Sequence, residues 1–143
     1  MIKTALKIAW KLYGQPYRWG GDDPLAGFDC SGFVIEILKS VRALPLQGDW
    51  TADGLYRIFK NNPCQPKPGA VVFFPGNSGQ MRHVEFCLNE KLTIGASGGG
   101  SGTRGFTAAV AANAFVKVRP IPENPDLVFV DPFTTNQRAA FDA

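Results

Sequence analysis

One stretch of the chain suits nucleophilic chemistry: Phe28-Asp29-Cys30-Ser31-Gly32-Phe33-Val34, a thiol set between an acid and a hydroxyl just where an apolar run begins. A thiol attacks carbonyl carbon as its thiolate, and a free cysteine, with pKa about 8.5, is mostly protonated at neutral pH. The spacing of Phe33, Val34, Ile37, Leu38 and Val41 predicts a helix from Cys30 to about Ala43, with Asp29 as its N-cap. A helix N-terminus favours an anion at its first residue. A histidine brought near in the fold would add an ion pair and later serve as general acid. The chain has one histidine, His83, at the start of the alternating run His83 to Leu88. Bland readings stand beside these: a cysteine is often a small buried hydrophobe, and a lone histidine is often a satisfied core or surface group.

These residues need a scaffold, and the hydrophobic periodicity supplies one. Ala5, Leu6, Ile8, Ala9, Leu12 and Tyr13 predict an N-terminal amphipathic helix closed by Gly14 and Pro16. Gly20 and Gly21 predict a tight turn, leading into an Asp22-Asp23-Pro24 loop. A shorter helix is predicted over Thr51 to Lys60, with Leu55, Ile58 and Phe59 inward. After Pro63, Pro66, Pro68 and Gly69 the pattern changes to strands: Ala70 to Phe74, then His83 to Leu88, then Lys91 to Ser97, the last two joined as a hairpin at Asn89 and Glu90. The glycine-rich loop Gly98 to Gly105 precedes a helical or extended stretch and a strand near Phe115 to Ile121. Residues 122–143 are a proline-spaced tail to which the pattern assigns no element. Helices first and an antiparallel sheet afterwards make the chain α+β, and residues 1–143 read as a single domain.

Composition narrows the function. At 143 residues the chain is long enough for a hydrophobic core without staples. The net charge of +3 is mild and the basic residues are scattered, which argues against nucleic acid as a partner. No apolar run reaches the length of a membrane span, so no membrane insertion is expected. Lys3, Lys7 and Lys11 interrupt any apolar signal core, so no secretory signal is expected and synthesis in the cytoplasm follows. Cys30, Cys64 and Cys87 are an odd set without metal-binding spacing, and with one histidine neither a metal nor another cofactor is expected. Reduced thiols are the simplest expectation. Gly100-Ser101-Gly102-Thr103-Arg104-Gly105 fits a dinucleotide-binding fingerprint, but that needs a parallel βαβ unit, and the strands before it read as a hairpin. Cys87 reads as inert packing. Cys64, in Pro63-Cys64-Gln65-Pro66, reads as an exposed loop thiol.

The flanks of Cys30 and His83 resemble the NlpC-type cell-wall peptidases of the NlpC/P60 superfamily. The matching residues are Tyr17-Arg18-Trp19-Gly20-Gly21 and Phe28 to Val34, then Pro68-Gly69-Ala70-Val71-Val72-Phe73-Phe74. His83-Val84 with Leu88 and Ile94-Gly95-Ala96-Ser97 complete the match, in the family's order from about residue 3 to 121. The resemblance implies a papain-like fold, with the nucleophile at a helix N-terminus packed on the sheet that carries the base. It implies Cys30 as nucleophile, His83 as base, Tyr17 near the oxyanion, and Asp29 and Ser31 holding the substrate peptide. It implies an endopeptidase acting on peptidoglycan stem peptides at a D-glutamyl–diamino acid bond.

Each carried-over residue keeps a second reading. Asp29 serves equally as a cap alone, Ser31 as a first-turn helix residue, and Tyr17 as packing. The chain also departs from the pattern. The family usually places a third polar residue, often a second histidine, on the strand after the catalytic histidine, and here that position is Gly95. Glu85, two residues beyond His83 and so on the same face of its strand, is the best replacement as the third catalytic residue. A structural charge is its other reading, and Asn89 and Ser97 are weaker candidates. Gly95 also leaves open a catalytically degenerate wall-binding or phage-tail module, and a related thiol amidase or acyltransferase uses the same chemistry. Because the substrate lies outside the cytoplasm, release through a phage holin, a place in a phage tail, or another route outside the general secretory pathway is expected.

Overall fold

The computed structural model describes residues 1–23 and 27–134. The predicted loop at Pro24 and the last nine residues of the tail lie outside the described residues. In chain order the elements are α1 (Ile2–Lys11), β1 (Asp22–Asp23), β2 (Gly27–Phe28), α2 (Cys30–Ser40), α3 (Ala52–Phe59), β3 (Val71–Pro75), β4 (Met81–Cys87), β5 (Leu92–Ser97), α4 (Phe106–Ala112), β6 (Phe115–Pro120) and β7 (Val128–Val130). The fold is α+β, as expected.

Helices α2 and α3 begin at capping side chains. The Asp29 carboxylate accepts from Gly32 N at 2.7 Å at the start of α2, and Thr51 Oγ1 accepts from Gly54 N at 3.0 Å at the start of α3. Each bond satisfies an amide that the helix itself leaves unpaired. α2 is the central helix: Phe33, Val34, Ile37 and Leu38 are fully buried. Within α3, Leu55 and Phe59 are buried, whereas Ile58 is only partly so.

The five-stranded sheet runs β6-β5-β4-β3-β7, with every described pairing antiparallel. This topology leaves no parallel crossover for a dinucleotide fold, and the fingerprint at Gly100–Gly105 is a loop entering α4. Val71, Phe73, Val84, Phe86, Ile94 and Val116 belong to the main core with the helices. Alternate residues Ala70, Val72, Phe74 and Cys87 form a second, smaller core.

Three expectations change. The run from His83 to Leu88 alternates in sequence but not in burial, because Val84, Glu85, Phe86 and Cys87 are all buried. β4 is a central strand, and both its faces are covered. What covers the second face is the tail. β7 pairs with β3 through Val71–Val130, Val72–Phe129 and Phe73–Val128, and Leu127 and Phe129 pack on the smaller core. A Lys67–Asp131 ion pair at 2.7 Å fastens this return. A three-residue strand set among prolines has too little period to be read from sequence. The same packing half-buries Cys64, which is therefore not the exposed loop thiol expected.

Candidate active site

The turn before α2 brings Tyr17 to the cysteine. Residues 14–17 run beside the start of β6, with Gly14 N donating to Val116 O (2.9 Å) and Tyr17 N to Ala114 O (3.0 Å). The chain then crosses to β2, where Arg18 N donates to Phe28 O (2.9 Å), and turns at the two glycines, Gly21 N bonding Arg18 O (2.8 Å). Asp29 N donates to Gly21 O (3.1 Å), which seats α2 on this turn. Cys30, the first residue of α2, is half-buried.

Cys30, His83, Tyr17, Asp29 and Ser31 line one open cleft of about 770 Å³. Tyr17 is 5% exposed. Its ring lies against Gly99 so closely that a Cβ there would overlap the ring carbons, and only glycine lets the loop pass. Burial first, then the negative charges of Cys30 and Asp29, push the Tyr17 pKa up to about 12, so its phenol keeps its proton. Burial also raises the pKa of Asp29, against hydrogen bonds from Gly32, Ser31 and Gly20 that favour the carboxylate. Ser31 Oγ donates to Asp29 Oδ1 at 3.3 Å. The capping role of Asp29 is thus visible, and its carboxylate is already well supplied with donors.

His83 joins the thiol to a buried acid. Its side chain shares the cleft with the Cys30 thiol, which raises the imidazole's pKa, and its Nε2 lies 2.6 Å from Glu85 Oε2, which leaves Nδ1 as the nitrogen free for the sulfur. Burial alone would lower the His83 pKa. The hydrogen bonds and charges of Cys30 and Glu85 outweigh it and lift the value to about 9. The Phe74 ring stands edge-on to the imidazole, with centroids 5.0 Å apart, and fixes its plane from the β3 side.

Glu85 is completely buried. Besides His83 it accepts from Thr93 Oγ1 at 2.6 Å and Arg119 Nε at 3.1 Å, both on Oε1, while Arg119 Nη2 lies 2.6 Å from Oε2. Burial would raise the Glu85 pKa, but the bonds from His83, Arg119 and Thr93 prevail and hold it below the usual carboxylate value. The sheet register explains Gly95. Phe86 pairs with Ile94, so the next step along the ladder sets Gly95 beside Glu85. A Cβ on Gly95 would meet Glu85 Cγ at 2.6 Å. The space a side chain would take from β5 is filled by Glu85 from β4.

Of the weaker candidates for orienting His83, Asn89 spends its side-chain oxygen on Lys91 N and Leu92 N, both at 2.8 Å, closing the β4–β5 turn. Ser97 lies in the cleft wall. Thr93 and Arg119 escaped the sequence reading because nothing local marks them. Their signal is the pairing of Thr93 with Arg119 across β5 and β6, a fact of register. The described residues contain no group of three or more histidine, cysteine, aspartate or glutamate side chains placed to hold a metal ion.

The chain has similar proteins among those known. The chain is similar to the bifunctional muramidase/DL-endopeptidase CwlT of Bacillus subtilis, 59% identical over 75 residues that make up 52% of this chain and 22% of that protein. It is 36% identical to the murein DD-endopeptidase MepH of Escherichia coli over 75 residues, 50% of this chain and 27% of that one. The chain spans less than a third of the length of these curated relatives. Among solved structures, the NlpC/p60 domain of the peptidoglycan hydrolase SagA superposes with a TM-score of 0.63 at 26% identity, covering 92% of this chain and 98% of that one. The P60 domain of an antigen from M. avium subspecies paratuberculosis has the same fold, with a TM-score of 0.66 at 21% identity over 93% of this chain and 95% of that one. The model of the NlpC/P60 family matches residues 14–120, and the chain belongs to that family.

Proposed function

We propose that this domain is a cysteine endopeptidase of peptidoglycan stem peptides, with Cys30 as nucleophile, His83 as acid and base, and Glu85 as the third member. The observation that carries this reading is one cleft that holds the Cys30 thiol at a helix N-terminus together with His83, whose ring is bonded at 2.6 Å to the buried Glu85 carboxylate. The thiolate attacks the stem-peptide carbonyl. The Tyr17 phenol, kept protonated by its surroundings, is placed to donate to the developing oxyanion. The His83 imidazolium then gives its proton to the leaving amine, and a thioester to Cys30 remains. Neutral His83 next draws a proton from water, the hydroxide adds to the thioester, and the acid product and the thiol are released.

The bond we assign lies between D-glutamate and the diamino acid. The higher identity to a protein whose name includes DL-endopeptidase activity, 59% over 75 residues against 36% over 75 residues for one named as a DD-endopeptidase, supports that choice. A muramidase reading fits poorly. Glycoside hydrolysis needs two free carboxyl groups flanking the bond, whereas Asp29 is engaged by Gly32 and Ser31 and Glu85 by His83, Thr93 and Arg119. In the assigned roles Asp29 and Ser31 face the substrate's free ammonium.

Digestion of purified peptidoglycan, followed by mass spectrometry, tests the proposal. The expected products are cut at the D-glutamyl–diamino acid bond, with new amino groups and intact glycan. Cleavage at the cross-link would move the assignment to a DD-bond, and new reducing sugar ends alone would overturn the peptidase reading.

A further inference from the structure

Arg119 has no place in the scheme so far, yet it reaches the one buried acid of the site from a strand two places away. It grips both oxygens of Glu85, at 3.1 Å and 2.6 Å. Its guanidinium lies over the Phe74 ring, 5.1 Å from the centroid, and the edge of the same ring system meets His83. A guanidinium that is two-thirds buried, paired in a fork and stacked is held in one position.

We propose that Arg119 is a positioning residue that acts through Glu85, holding the carboxylate against His83 and neutralising it whenever the imidazole has released its proton. The proposal rests on the cysteine-peptidase reading above. Its reason is the charge count in a buried site. While His83 is an imidazolium, Glu85 has a partner for its charge. Once the proton passes to the leaving amine, Glu85 would be a lone carboxylate with no exposure to water, a costly state. With nothing to relieve that cost, the imidazolium would hold its proton too tightly to serve as an acid. Arg119 supplies the missing cation, and Thr93 supplies a neutral donor to the same oxygen.

The charged and titratable groups around the pair are few. Cys30 and the cap Asp29 face it from α2, Tyr17 from the preceding turn, Arg82 neighbours His83 on β4, and Arg119 comes from β6. Cys87, further along β4, has its pKa pushed up to about 12 by burial first and then by the charges of Cys64 and Glu85, and it stays a neutral thiol. The partners from β3 and β5, Phe74 and Thr93, carry no charge.

The sole histidine of the chain gives a readout independent of turnover, because its ring resonances by nuclear magnetic resonance can belong only to His83. In Arg119→Met we expect the His83 titration to move up by about one pH unit or more. The pH profile of kcat should move in the same direction, with kcat at neutral pH falling about ten- to a hundredfold and KM nearly unchanged. Arg119→Lys keeps the charge and should restore most of the titration. In a Glu85→Gln background, which removes the buried charge and relieves any folding defect, Arg119→Met should add little further loss. An unmoved His83 titration in Arg119→Met, or full additivity with Glu85→Gln, would overturn the proposal. A loss confined to KM would make Arg119 a substrate contact instead. If the wild-type domain fails to cleave peptidoglycan, the peptidase reading falls while the histidine titration still decides what Arg119 does.

Discussion

On one wall of the cleft, Asp29, Cys30, Ser31 and Gly32 are consecutive, and the bonds that organise them close within three residues. On the other wall, 34 residues separate Glu85 from Arg119, and Glu85, Thr93 and Arg119 come from three strands. The helix wall is made of separable parts: a cap worth about 1 kcal/mol and a dipole worth a few tenths to 1 kcal/mol. The sheet wall has no separable parts, because each polar group there is the partner that makes another's burial tolerable. Removing one member of a buried ion pair costs about 3–5 kcal/mol, far more than the pair contributes net. Substitutions should therefore be graded in effect on the helix wall and steep on the sheet wall, with the nucleophile itself as the exception.

Cys30→Ser should have the largest effect. Loss of the nucleophile from a catalytic triad removes on the order of 10⁴-fold or more of kcat, while the half-buried position should leave thermal stability nearly unchanged. Release of amino groups from peptidoglycan, alongside a melting curve, checks both. Residual cleavage within tenfold of the wild type would remove Cys30 from the mechanism.

Glu85→Gln is the main test of the sheet wall. We expect kcat to fall about ten- to a thousandfold, equivalent to about 1.4–4 kcal/mol of transition-state stabilisation. The sign of the pH effect follows from His83. Its pKa is raised to about 9, so the imidazolium persists across neutral pH and the alkaline limb of the wild-type profile should lie near that value. Without the carboxylate the proton leaves at lower pH, and the alkaline limb should move toward neutrality. The histidine's contribution to stability, complete below its unfolded value and lost as pH rises through about 9, should shrink in parallel. Unchanged kinetics and profile would make Glu85 structural.

Gly95→Ala adds one methyl group in the same wall. Because its Cβ would lie 2.6 Å from Glu85 Cγ, either strand β5 or the acid must shift. The expected cost is about 1–3 kcal/mol by chemical denaturation, with kcat falling as Glu85 leaves the imidazole. A variant as stable and active as the parent would show that this wall relaxes more easily than its packing implies.

Asp29→Asn should have the smallest effect on stability and sharpens the other side. Asparagine caps a helix about as well as aspartate, so unfolding should change by under about 0.5 kcal/mol. The substitution removes the negative charge assigned to the substrate ammonium, so KM should rise. An unchanged KM would leave Asp29 with capping as its whole function.

Much of the helix wall was legible in the sequence, because its physics is short-range. An acid before an apolar 3.6-residue period predicts a cap and a helix start, and the Tyr17 to Gly21 turn feeds directly into it. Four of the five strands of the sheet were legible too, since their β-branched and aromatic runs are bounded by proline and glycine. Period two further places Glu85 on the face of His83. Only the tertiary structure decided what that proximity means. The departure at Gly95, which in sequence reads equally as a lost residue, is in the fold the room that Glu85 occupies. Thr93 and Arg119 join the acid through strand register, and β7 closes the second face through a return from the tail. Register and chain return depend on contacts far apart in sequence, and no local pattern records them.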